Sequence, residues 1–167
     1  MSAVAIRTLP APQSYIIGFF LFLVAAALAV SPLPLLYRSA GILFIMYLTF
    51  SVAGMGFVYL TALLAPPVGL LSGNADRLVM LPPVLASTLL GALGLEYAWR
   101  YPALVVSPLL AVLPPFIAYT LSRQTLFAVA LPWEPAPTWL GLHALVALAG
   151  VLVAVYLDRR RAQRPDG

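Results

Sequence analysis

Residues 40–65 read AGILFIMYLTFSVAGMGFVYLTALLA, 26 positions without a charge or a proline. At about 1.5 Å per residue an unbroken helix of that length reaches about 39 Å, and a bilayer core is about 30 Å thick. The stretch therefore predicts a membrane-crossing helix with length to spare. The rest of the chain repeats the pattern, cut into apolar runs by proline clusters and single arginines.

Composition supports that class. The 167 residues are 63% hydrophobic and 8% charged, against about 25% charged in a soluble domain. Mean hydropathy is +1.02. A water-soluble fold of this length would have to leave much of that apolar surface exposed. There is no cysteine, so disulfides, thiol catalysis and thiolate metal sites are excluded. The single histidine, His143, is too few for a metal or haem site.

The formal charge of +4 comes from nine arginines against five acids, with no lysine. Four of the arginines, Arg159, Arg160, Arg161 and Arg164, lie in the last ten residues. A basic run after an apolar helix reads as a cytoplasmic anchor, and as a possible contact for anionic lipid. It does not read as a nucleic-acid surface. Arginine used to the exclusion of lysine points to a GC-rich, prokaryotic genome.

Taken in order, the chain predicts five spans, at about 14–30, 40–65, 78–99, 102–122 and 138–157, with a basic tail at 158–167. The first resembles a signal peptide in its lone positive charge, apolar core and Ala27-Leu28-Ala29. Cleavage there would leave four spans and put both ends outside, against the arginine tail, so the segment is kept as a span. Prolines at 32 and 34, and at 66 and 67, end the first two spans. Gly69, Ser72, Gly73, Asn74, Asp76 and Arg77 form the loop before the third, where Pro82-Pro83 marks a proper helix start. Pro114-Pro115 falls well inside the fourth. It should kink or break that helix and free the carbonyls of Leu110 and Ala111, which then need a hydroxyl, water or a neighbouring helix. Residues 123–131 either lie along the interface or extend that span.

With five spans the arginine balance gives an N-out, C-in topology. Arg38, Arg100, Arg159, Arg160, Arg161 and Arg164 fall inside, and Arg7, Arg77 and Arg123 outside. The expectation is one all-α domain, a bundle of about five transmembrane helices in the plasma (inner) membrane of a prokaryote.

Every charged residue falls at a span end or in a loop, so the interior lacks the carboxylate or histidine relay of proton-coupled carriers. No nucleophile with a base is evident. Glu96 and Glu134 fall on opposite faces of the membrane and cannot pair. No catalytic, cofactor or metal residue is assigned. The candidates for function are His143, Glu96, Arg100, Pro114 and Pro115. His143 shares a stripe with Ala147, Gly150 and Ala154, whose small side chains allow close packing, so it should point into the bundle. Tyr47, Ser51, Gly54, Val58 and Thr61 form a similar stripe, as do Ser87, Gly91 and Gly94. Glu96 and Arg100 are placed for an i, i+4 ion pair in an interfacial belt with Tyr97, Trp99 and Tyr101.

Two functional expectations follow. The first is a non-catalytic subunit supporting a larger membrane transport or envelope assembly, with other membrane subunits and the lipid bilayer as its partners. The second is a small-molecule binding or translocating module with its site at a proline-broken fourth span. An enzyme ranks third.

Overall fold

The computed structural model describes residues 11–73, 75–98, 102–123 and 136–162. Within them the architecture is all-helical, and six helical stretches are long and apolar enough to cross a membrane. They are α1 (Ala11–Val30), α2 (Leu35–Ala53), α3 (Met55–Val68) extended by a 3-10 turn at Gly69–Ser72, α4 (Ala75–Tyr97), α5 (Ala103–Arg123) and α6 (Ala136–Ala162).

The expected single helix over 40–65 is divided at Gly54. Residues 40–65 are not one helix, because Gly54 adopts φ 83°, ψ −178°, a conformation essentially reserved for glycine. The chain reverses there. Gly18 of α1 is so close to the bend that a β-carbon on it would lie 2.7 Å from both Ala53 and Phe57. At the other end of α1, Ala29 meets both the start of α2, through Arg38, and the end of α3, through Gly69. α2 and α3 are thus an antiparallel pair closed by one residue. With its 3-10 extension, α3 spans about 29 Å, enough for a bilayer core.

The remaining helices continue to alternate. α4 returns along α3, with Tyr59 bonded to Glu96 and Thr88 to Ala62. α5 returns along α4, with Ser107 bonded to Gly91 and Ser87 to Ala111. α6 begins beside Leu36 and Met80, where Trp139 is buried, and runs parallel to α2 until Gly150 meets Tyr47. The start of α1 and the end of α6 therefore lie at one end of the bundle. The parity argument for keeping residues 14–30 loses its premise. That segment holds its place by packing instead, with Ala25 and Ala29 buried against Ile42, Ile45 and Ala65.

Two other expectations change. α5 is helical from 103 to 123 without interruption, so Pro114-Pro115 does not break it. α4 starts at Ala75, before Pro82-Pro83 rather than at them. Residues 124–135, which include Glu134, lie outside the described residues.

The core lies among α2, α3, α4, α5 and α6 and centres on Tyr47, Phe50, Leu43 and Met46, all with 0% exposure. Large apolar side chains such as Phe19, Phe20, Val105, Leu109 and Leu145 point outward, as lipid-facing positions of a membrane bundle should.

Candidate functional site

Interior chemistry in this bundle is a set of hydroxyl-to-carbonyl ties between helices. Tyr47 on α2 is the hub. Its ring sits on Gly150 of α6, where a β-carbon would come within 2.6 Å of the tyrosine Cβ. Its hydroxyl lies 2.7 Å from Ser107 Oγ on α5, and that Oγ lies 2.8 Å from the carbonyl of Gly91 on α4. A carbonyl only accepts, so Ser107 gives its one proton to Gly91 and Tyr47 donates to Ser107. One phenol thus joins four helices.

A second layer lies near the middle of the helices and depends on proline. A proline at position i leaves the carbonyl at i−4 without its helical donor. Pro115 frees Ala111, and Ser87 Oγ of α4 donates to that carbonyl. Pro66 frees Ala62, and Thr88 Oγ1 of α4 lies 3.0 Å from it. Thr88 has one proton, which it also offers to Leu85 at 2.9 Å and Val84 at 3.2 Å in its own helix. Adjacent residues of α4 therefore stitch proline-freed carbonyls on two different neighbours, α5 and α3. Thr61, buried on α3, has no hydrogen-bond partner for its Oγ1 among the described residues.

His143 is 1% exposed and points into the bundle, in line with buried Ala147, Gly150 and Ala154. Its Nδ1 lies 3.0 Å from the carbonyl of Trp139, and its ring stacks on that indole with centroids 4.0 Å apart at 13°. Because the carbonyl accepts, Nδ1 carries the proton of the neutral ring and Nε2 is left as an acceptor.

The other candidates do not gather into one place. Glu96 lies at the opposite end from His143 and accepts a hydrogen bond from Tyr59 of α3. Its expected partner Arg100 is outside the described residues, and α4 is described only as far as Tyr97 and Ala98. Pro114 is half-buried and Pro115 buried in an intact helix. Tyr47 and Ser51 do face inward, as do Val58 and Thr61, but they belong to two antiparallel helices rather than to one continuous stripe.

The sequence reading missed Tyr59 as the partner of Glu96, and Ser107 altogether. The signal that could have found it is spacing: Ser107, Ala111 and Pro115 recur every four residues on α5, and all three are buried. Among the described residues no group of three or more His, Asp or Glu is placed to hold a metal. No family model, curated protein or solved structure matches this chain.

Proposed function

We propose that this chain is a non-catalytic, multi-pass subunit supporting a larger membrane transport or envelope assembly. One observation carries the reading: the interior hydroxyls of Tyr47, Ser87, Thr88 and Ser107 are all engaged in holding helices together. A translocation path needs polar groups that can be lent to a passing solute. These four are already committed to backbone carbonyls or to each other. A site at a broken fourth span has lost its motive, because α5 is continuous.

The chain is assigned to the plasma membrane of a prokaryote, with six crossings and both ends of the bundle path in the cytoplasm. The support is again the arginine balance. With six helices Arg7 joins the cytoplasmic set and Arg38 leaves it. Arg7, Arg100, Arg159, Arg160, Arg161 and Arg164 then face Arg38, Arg77 and Arg123, still six against three.

The test is purification from its native membrane in a mild detergent, followed by native mass spectrometry. A stoichiometric membrane protein retained through two chromatographic steps supports the subunit reading. A chain that runs alone and is stabilised on heating by a small solute would replace it with the carrier reading.

A further inference from the structure

The outward face of α6 ends in an arrangement that the subunit reading does not use. Leu145, Leu148, Leu152 and Tyr156 are all exposed, at 64%, 42%, 50% and 53%. Their spacing of three, four and four residues puts them on one stripe of the helix. Arg160 is the next member, four residues on, and it too is exposed. Its guanidinium carbon lies 5.1 Å from the centroid of the Tyr156 ring, within cation–π range. The guanidinium is thus laid back against the lipid-facing side of the helix. From Leu152 to Arg160 is about 12 Å along the axis, so apolar surface, aromatic ring and cation follow one another in the order of acyl chain, ester region and phosphate.

We propose that this end of α6 binds an anionic phospholipid. The acyl chains lie along Leu145, Leu148 and Leu152, Tyr156 sits at the ester level, and Arg160 with the adjacent, exposed Arg159 holds the phosphate. The sequence adds Arg161 and Arg164, so residues 158–167 hold four arginines against Asp158 and Asp166, a net charge of +2. Arginine suits the role because its planar fork matches phosphate oxygens two at a time. A neutral headgroup keeps the phosphate but adds a cation of its own, which the arginines repel. The site is therefore selective for net negative charge and not for phosphate alone. The inference rests on α6 crossing a bilayer. It does not depend on the subunit assignment or on which side the tail faces.

The test uses the full chain in a neutral detergent, offered equal amounts of phosphatidylglycerol and phosphatidylcholine, with retained lipid counted by native mass spectrometry. The wild type should keep phosphatidylglycerol in preference, and the preference should fall about fivefold for each arginine replaced among Arg159→Gln and Arg160→Gln. Tyr156→Leu keeps the apolar stripe and the charge but removes the ring face, and should weaken retention less than either arginine change. Thermal unfolding with and without phosphatidylglycerol gives an independent reading, with an upward shift in the wild type that the double arginine variant loses. Equal retention of the two lipids by the wild type would overturn the proposal. So would a preference that survives Gln at 159, 160, 161 and 164 together. Displacement of the bound lipid by glycerol phosphate at matched concentration would overturn it as well, since the ligand would then be a soluble phosphate that needs no acyl stripe.

Discussion

The bend at Gly54 and the double proline at 114–115 pose the same problem to a membrane helix and resolve it in opposite ways. At Gly54 the chain stops being helical, turns through φ 83°, and starts again one residue later. At Pro114-Pro115 two consecutive donors are missing, yet α5 stays helical from 103 to 123. The difference lies in what each residue type controls. Proline takes away a hydrogen bond, and a neighbour can supply another: Ser87 does so at Ala111. Glycine at positive φ changes the direction of the backbone, and no neighbour can compensate for that. Proline content is therefore a poor guide to where a buried membrane helix ends when hydroxyls face it from the next helix.

The sharpest test of the reversal is all-or-none. The chain has no cysteine, so single cysteines can be placed at Leu33 and Ser72 and labelled with a membrane-impermeant thiol reagent. With α2 and α3 as separate crossings, both positions lie at the same end of the bundle and should label from the same side. A continuous helix over 40–65 would put them on opposite faces, and labelling from opposite sides would restore the five-span reading.

Next in size is Gly54→Ala. A side chain at φ 83°, ψ −178° is strained, and the cost should be about 1–3 kcal/mol, read as an earlier unfolding midpoint in detergent. Gly56→Ala is the control. A β-carbon there meets nothing within 4 Å, and the change should be neutral or slightly stabilising. Equal behaviour of the two variants would mean that residue 54 does not hold the turn.

These two regions also mark what a reader of the sequence can and cannot see. The helical membrane class, the inward face of Ser87, Gly91 and Gly94, and the inward face of His143 follow from composition and periodicity, which record burial directly. The reversal at Gly54 leaves almost no trace, because a glycine in an apolar run is as common at a tight helix contact as at a turn. The α2 and α3 stripes hid it further, since Tyr47, Ser51, Val58 and Thr61 fit a single helical face by accident of spacing. The need for a donor at Ala111 was legible from Pro115. That Ser87 supplies it was not, because pairing between helices depends on which faces meet. Glu96 pairs with Tyr59 across two helices for the same reason.

Effects of similar or smaller size separate the two ties to proline-freed carbonyls. Ser87→Ala leaves the Ala111 carbonyl, buried and without a helical donor, unsatisfied, and should cost about 1–3 kcal/mol. Pro115→Ala restores the backbone N–H at 115. In the Pro115→Ala background the Ser87→Ala change should therefore matter less, with a coupling of about 0.6–1.7 kcal/mol in a double-mutant cycle. Strict additivity would show that the hydroxyl does not serve the proline gap. Thr88→Val should cost less than Ser87→Ala, because Thr88 divides one proton among Ala62 and two carbonyls of its own helix, so little of its bond to Ala62 is there to lose.

His143 sets the low end of the scale. Its acceptor, the carbonyl of Trp139, stands four residues before it. Residue 143 is not a proline, so its own backbone N–H already serves that carbonyl in the helix. The imidazole adds a second bond to a satisfied group, whereas Ser87 supplies the first bond to an orphaned one. His143→Leu keeps an apolar side chain of similar reach against Trp139 and removes both ring nitrogens at once, leaving no polar atom of its own to satisfy. Replacing a polar side chain by an apolar one of similar shape is close to neutral when no partner is stranded. The variant should therefore unfold within about 1 kcal/mol of the wild type. A loss of about 2 kcal/mol or more would mean that Nε2 accepts a hydrogen bond from a buried donor that the substitution strands. That outcome would move His143 from the same class as Thr88 to the same class as Ser87, and would make it the first interior group of this bundle to search for a bound water or solute.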